Sequence, residues 1–206
     1  ADYRERVVII DYGMSNLQSV QNALESLGCR AEITGDPAAV AAADRLILPG
    51  VGAFGHGMMH LRQRGLIEPM RKAVDSGKPL LGICLGMQLL ADESFEHGHN
   101  EGLHFIPGSV RRLAQSEGLR IPHIGWNSVH HVPGCALYRE VKPSADFYFV
   151  HSYHFDASEP ADVNGWCEYG MRFAASVGRG RVFGVQYHPE KSHRAGLTLL
   201  RNFLLC

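Results

Sequence analysis

Lys78-Pro79-Leu80-Leu81-Gly82-Ile83-Cys84-Leu85-Gly86-Met87-Gln88-Leu89-Leu90 reads as a buried strand, one Gly-x-Cys-x-Gly turn and then a helix beginning near Leu85. Glycines on either side of a turn residue permit a sharp, strained elbow without Cβ clashes, and the residue at the elbow projects from the carboxyl edge of a sheet. A thiol there sits at a helix start, where unpaired backbone N–H groups and the helix dipole favour the thiolate. Cys84 is therefore a candidate nucleophile. The competing reading is a small structural cysteine in an apolar strand.

A nucleophilic thiol needs a base. Val182-Phe183-Gly184-Val185-Gln186-Tyr187-His188-Pro189-Glu190 is an apolar, β-rich run that ends at Pro189, which cannot donate to a ladder. His188 then lies at a strand's carboxyl end. Residues two apart in extended chain share a side, so Glu190 can hold one imidazole nitrogen while the other faces the thiol. The chain has 12 histidines, so any one of them taken alone can equally be a surface or structural residue.

The same logic applies at Leu48-Pro49-Gly50-Val51-Gly52, a turn that follows an apolar strand and can meet the Cys84 elbow at one sheet edge. Its glycine-rich backbone can aim N–H groups at an oxygen. Glycine turns also cradle phosphates, but no Gly-Lys-Ser/Thr follows and the G-x-G-x-x-G pattern is absent. Gln88, one helical turn past Cys84, can bind a polar substrate group. Glu96 is either a ligand for a substrate cation or a solvated loop carboxylate. The tract Glu96-His97-Gly98-His99 has some look of a metal site, but no further ligands cluster with it, and no metal or cofactor is expected.

Elsewhere the elements alternate. Strands are predicted over Val7–Asp11, Ala31–Thr34 and Arg45–Leu48. Helices are predicted over Ser15–Leu27, with Leu17, Val20, Leu24 and Leu27 on one face and a Ser15/Gln18 capping box, over Pro37–Ala43, and between Gly65 and Gly77. This is the pattern of a mostly parallel sheet with helices on both faces, which gathers ligands at the carboxyl ends of its strands. From about Gly102 the chain turns β-rich, with runs over Phe147–Phe155, Trp166–Val177 and Arg181–Tyr187 predicting an antiparallel extension of the sheet, before an amphipathic helix near His193–Leu204. No repeat, low-complexity tract or charged linker divides residues 1–206, so a single domain is expected.

Composition sets bounds. A chain of 206 residues that is 45% hydrophobic can bury a substantial core. A formal net charge of −1 gives no electrostatic reason to expect nucleic acid or an anionic membrane surface. Five cysteines, at 29, 84, 135, 167 and 206, form no C-x-x-C pair and suggest no disulfide framework, in keeping with a reducing cytoplasm. No stretch approaches a membrane span, and the polar start Asp2-Tyr3-Arg4-Glu5-Arg6 lacks a signal peptide's apolar region.

The elbow Gly82–Gln88, the pair in Tyr187-His188-Pro189-Glu190 and the turn Leu48–Gly52 together resemble the class I, triad-type glutamine amidotransferases. Asp11-Tyr12-Gly13-Met14-Ser15-Asn16 and Pro122-His123-Ile124-Gly125-Trp126-Asn127 resemble, within them, the glutaminase subunits of imidazole glycerol phosphate synthase in histidine biosynthesis. The resemblance runs from about residue 7 to the end. It implies a flavodoxin-like α/β amidotransferase fold and a Cys84-His188-Glu190 triad. It implies an oxyanion hole at Val51 and Leu85, with Gly50 and Gly52 among the substrate-binding residues. Gln88 and Glu96 would hold the amino acid end of L-glutamine, and the backbone of His151, Ser152 and Tyr153 its carboxylate. Taken alone, His151 and His154 read equally well as caps of a strand end.

The mechanism implied is a Cys84 thioester that releases ammonia and then glutamate. The implied partner is a (β/α)8-barrel cyclase. It would receive ammonia through an internal passage and make imidazole glycerol phosphate and an aminoimidazole carboxamide ribotide. Its docking surface would include Asn16, Trp126 and Asn127. Three alternatives stand beside this reading: a glutaminase serving another synthase, such as one making pyridoxal phosphate; a free-standing thiol hydrolase; and a non-catalytic flavodoxin-like module, which would lack a triad member.

Overall fold

The computed structural model of the protein describes residues 3–14 and 17–206. The first half runs β1 (Val7–Ile10), α1 (Gln18–Ser26), β2 (Ala31–Thr34), α2 (Pro37–Ala42), β3 (Arg45–Leu48), α3 (Phe54–Gln63), α4 (Ile67–Asp75), β4 (Leu80–Ile83) and α5 (Leu85–Leu89). The second half runs β5 (Glu93–Ser94), β6 (Asn100–Glu101), β7 (Gly108–Arg112), β8 (His123–Ser128), β9 (His130–His131), β10 (Asp146–His151), β11 (Tyr153–Ala157), β12 (Val163–Glu168), β13 (Arg172–Arg179), β14 (Val182–Val185) and α6 (His193–Leu205).

Among the described residues, eight strands form a central sheet in the order β2-β1-β3-β4-β14-β13-β12-β9. The pairs from β2 to β14 are parallel, and β13, β12 and β9 continue the sheet antiparallel. The apolar strands are explained by burial on both faces. Val7, Ile9, Ile47, Leu81 and Ile83 join α1 and α6 in one core, and Val8, Ile10, Leu46, Leu48 and Leu80 join α3, α4 and α5 in the other. Full burial of one such side chain contributes about 2 kcal/mol relative to exposure.

The expected mostly parallel sheet, helical cover and antiparallel C-terminal extension are all present, with three differences of detail. Helix α3 lacks a clear sequence signal because Gly55 and Gly57 occupy its first turn. Burial of Phe54, Met58 and Leu61 overrides that poor propensity. The run Phe147–Phe155 is not one strand of the central sheet: it breaks at Ser152 into β10, which pairs with β8, and β11, which pairs with β7. The run Trp166–Val177 is the hairpin β12–β13, turning at Gly170 with φ +70°. Helix α1 is described from Gln18, and the Ser15 half of the expected capping box lies outside the described residues.

The register places the site. Leu48 pairs with Gly82 and Ile83 with Val185, so the chain leaves β3, β4 and β14 at one level, presenting Gly50, Cys84 and Gln186 together at the carboxyl edge. A Cβ on Gly86 would lie 1.7 Å from the Leu48 carbonyl oxygen, and one on Gly82 would lie 2.5 Å from that of Gly86. Neither glycine is needed for a left-handed conformation; both are needed for close approach. Gly86→Ala is therefore expected to cost at least about 2 kcal/mol, read as a lowered urea midpoint at unchanged m-value.

Candidate active site

Cys84 holds the strained conformation itself, with φ 56° and ψ −111°, between the end of β4 and α5. For a residue with a side chain this is a sparsely populated region, sustained by the surrounding backbone. Its N–H donates to Val185 O at 2.8 Å, and α5 is only five residues long. The sulfur lines a cleft of about 460 Å³ together with Val51, Gln88, Glu96, His151 and Tyr153. On one side the His188 ring is close enough to the Cys84 sulfur for that sulfur to favour its charged form. On the other, Nδ1 meets Glu190 Oε1 at 2.7 Å. The geometry of nucleophile, imidazole and carboxylate is thus assembled from two strand ends.

The loop carrying His188 is pinned. Its N–H donates to Tyr148 O at 2.9 Å, and the Ser192 hydroxyl donates to His188 O at 2.6 Å while accepting from Tyr148 N at 3.0 Å. Burial opposes charging of the His188 ring. The Cys84 sulfur and the Glu190 carboxylate outweigh it and raise the ring's pKa to about 10.

Glu96 is not a solvated loop carboxylate. It is buried, and burial raises its pKa against the opposing effects of His97, the Phe54 backbone at the start of α3 and His56. His99 of the same tract turns away to Glu93 at 3.0 Å. No group of three or more His, Cys, Asp or Glu among the described residues is placed to hold a metal.

Val51 and Gly52 line the cleft, and Gly50 sits behind it, where a Cβ would lie 2.0 Å from the Tyr12 hydroxyl. The two amides expected to form an oxyanion hole are both occupied. Val51 N donates to Met14 O at 3.0 Å, and Leu85 N donates to Gly50 O at 3.0 Å. In this conformation the Gly50 carbonyl faces the Leu85 N–H and neither amide is free to receive an oxyanion. Val51 and Leu85 line the cleft with Cys84, and the peptide between Gly50 and Val51 turns its carbonyl, not its N–H, toward Leu85.

Ser152 and its neighbours form the far wall of the cleft. Trp126 and Asn127 lie on β8, outside the cleft, and Asn16 lies outside the described residues. Trp126 is 47% exposed and stacks on His193, while Ile124 on the same face is 59% exposed. Three residues of the site went unnoticed in the sequence. Gln186 is fully buried, donates from Nε2 to the Cys84 sulfur at 3.8 Å and accepts from Gln88 Nε2 at 3.0 Å. Its position two residues before His188, on the same side of an extended chain, was a usable signal. Tyr12 donates to Pro49 O at 2.5 Å and so holds the glycine turn from below. His123 reaches His151 through a hydrogen bond of 2.9 Å.

The family model for Glutamine amidotransferase class-I matches residues 8–206. The chain belongs to this family. Among class I glutamine amidotransferases it is similar to the imidazole glycerol phosphate synthase subunit HisH of Moorella thermoacetica, 51% identical over 197 residues, with 96% of this chain and 93% of that protein covered. The HisH subunit of Syntrophotalea carbinolica is 46% identical over 202 residues, covering 96% of this chain and 98% of that protein. A crystal structure of a glutamine amidotransferase superposes with a TM-score of 0.76, covering 97% of both chains at 22% identity, a likeness in fold. The amidotransferase elbow, glycine turn and His-Pro-Glu segment in this chain are the same three segments the register brings to one edge.

A folded-state pKa raised above the unfolded value of ~6.5 means that the stability contributed by His188 is fully present below that pH and is lost as pH rises through about 10. The His188 ring signals are expected to show no titration between about pH 6 and 8. In Glu190→Gln, which removes a group that raises it, the NMR midpoint should move down.

Proposed function

We infer that this chain is the glutaminase subunit of an imidazole glycerol phosphate synthase, and that Cys84, His188 and Glu190 carry the hydrolysis of L-glutamine. One observation carries the chemical assignment: the strained Cys84 elbow faces an imidazole whose other nitrogen is held by a buried carboxylate. The sulfur attacks the side-chain amide carbon of glutamine. The imidazolium, kept charged by its two neighbours, donates its proton to the departing ammonia. The neutral ring then takes a proton from water as that water attacks the thioester, and glutamate leaves. Glu190 holds the ring's orientation and stabilises its charged form.

Glu96, a buried carboxylate in the cleft, suits the α-ammonium of the substrate, and the turn at His151-Ser152-Tyr153 suits its carboxylate. The exposed apolar face of β8 and β10, with Ile124 opposite Val150 and Trp126 opposite Tyr148, supports docking of a cyclase subunit. That cyclase, a (β/α)8 barrel in this reading, uses the ammonia. A free-standing thiol hydrolase would have no use for an apolar ribbon beside its nucleophile.

The occupied amides favour a partner-dependent enzyme. Rotation of the Gly50–Val51 peptide would turn the Val51 N–H toward the sulfur and withdraw the Gly50 carbonyl from Leu85 N in a single movement. One oxyanion donor is worth about 10²–10³ in kcat, so an isolated chain in the present conformation should be slow. Glutamate release by the chain alone should rise by at least about 10² when cyclase and its nucleotide substrate are added, and Cys84→Ala should abolish it. Rapid release by the isolated chain, unchanged by any cyclase, would refute this reading. A second measurement follows the amides directly: hydrogen exchange at Val51 and Leu85 should accelerate in the activated complex.

A further inference from the structure

Beneath the cleft wall, half-buried Asn127 and buried His123 and His151 form a hydrogen-bonded chain. Asn127 Nδ2 meets His123 Nε2 at 3.2 Å, His123 Nδ1 meets His151 Nε2 at 2.9 Å, and His151 Nδ1 meets the Tyr153 carbonyl at 2.8 Å. Proton bookkeeping permits one arrangement. A carbonyl only accepts, so His151 carries its proton on Nδ1 and is bare at Nε2; His123 then carries its proton on Nδ1 and is bare at Nε2, where Asn127 donates. The far end agrees independently. Asn127 Nδ2 spends its second hydrogen on Glu168 O at 2.9 Å, and Oδ1 accepts from Ser128 N at 2.8 Å, which fixes the amide's orientation. Burial depresses His123 to about 4 and His151 to about 3, so both rings are neutral, as the chain requires.

The chain does not stop at Tyr153. The same carbonyl accepts from Gln88 Nε2 at 3.1 Å, whose other hydrogen goes to Gln186 Oε1 at 3.0 Å, and Gln186 Nε2 reaches the Cys84 sulfur at 3.8 Å. With both Nε2 hydrogens used, Oε1 is the polar atom Gln88 has left for a ligand, an acceptor suited to an ammonium group. Aromatic packing alone does not account for this. His123 is stacked between Phe149 and Tyr169, at centroid distances of 4.9 and 4.1 Å, a slot that would hold a phenylalanine equally well.

We propose that His123 is a positioning residue for the substrate pocket: by donating to Nε2 it fixes the orientation of the His151 ring, and through the Tyr153 carbonyl holds Gln88 as an acceptor facing the cleft. The edge of β8 that carries exposed Trp126 and half-buried Asn127 is thereby tied to the pocket by hydrogen bonds. The proposal rests on the glutamine reading of the cleft and deepens it.

The test uses the full chain assembled with its cyclase subunit and compares His123→Phe, His123→Asn and Asn127→Ala. His123→Phe keeps the stacking and removes the relay; it should raise KM for glutamine roughly tenfold while kcat falls less than about threefold. His123→Asn, whose amide nitrogen replaces Nδ1–H, should bring KM back to within about threefold of the parent. Labelling of Cys84 by iodoacetamide should be unchanged in all three, and labelling by the glutamine analogue 6-diazo-5-oxonorleucine should slow in His123→Phe alone or with Asn127→Ala. Unchanged KM in a folded His123→Phe overturns the proposal, as does equal damage by the Phe and Asn variants. Should His123→Phe fail to fold, unchanged KM in Asn127→Ala overturns it. Nitrogen-15 spectra of the His151 ring separate this failure from failure of the glutamine reading: a parent complex that neither releases glutamate nor reacts with the analogue sinks that reading. In His123→Phe the Tyr153 carbonyl still holds the proton on His151 Nδ1, but Nε2 loses its donor, so the Nε2 nitrogen-15 signal should move toward that of an unbonded ring nitrogen; an unmoved signal overturns the relay.

Discussion

Between Gly86 and the carbonyl oxygen of Leu48 there is no room for a carbon atom, and the placement of the site depends on that contact. It draws α5 against the end of β3, so the turn Pro49–Gly52 lies over the elbow, and it forces the backbone at Cys84 into φ 56°. The elbow is consequently a point of strain held by packing on three sides. A thiol on a relaxed strand end would point into one of the two cores; here it points along the sheet edge into the cleft.

The same closeness explains how the candidate site can be assembled in its side chains while the Val51 and Leu85 amides are occupied. Side chains of Cys84, His188 and Glu190 are set by strand ends whose register cannot slip without turning apolar residues out of two cores. The Gly50–Val51 peptide is set by little more than two hydrogen bonds, Val51 N to Met14 O and Leu85 N to Gly50 O. Glycine on both sides of Val51 makes its rotation cheap. A rigid Cys84-His188-Glu190 arrangement beside a soft peptide suits the proposed partner-dependent activity. The hydrogen-bonded chain from Asn127 to the Cys84 sulfur adds a stiff connection between the exposed ribbon of β8 and the pocket, built from neutral groups whose orientations agree from either end.

Much was legible in the residues. The strand-elbow-helix at Cys84 and the His188–Glu190 pair are local patterns, in which glycine spacing, a terminating proline and two-residue alternation each report on their immediate neighbours. Helix α3 was not legible, because two glycines mask a segment whose helicity comes from burying Phe54, Met58 and Leu61. The division of Phe147–Phe155 between two small sheets was not legible either. An apolar run carries no mark of which strand it will pair with, and pairing is decided by partners about 20 to 45 residues away in β7 and β8.

The sequence by itself determined an α/β architecture, a nucleophile elbow and the identity of the residues that can act as base and orienter, since each of these follows from spacing along a few residues of chain. Only the tertiary structure decided that Glu96 is buried, that Gln186 and His123 belong to the site, and that the Val51 and Leu85 amides are occupied. Those facts depend on the direction of single peptide groups and on hydrogen bonds between residues distant in sequence, and, apart from the place of Gln186 two residues before His188, they leave no trace in the order of amino acids.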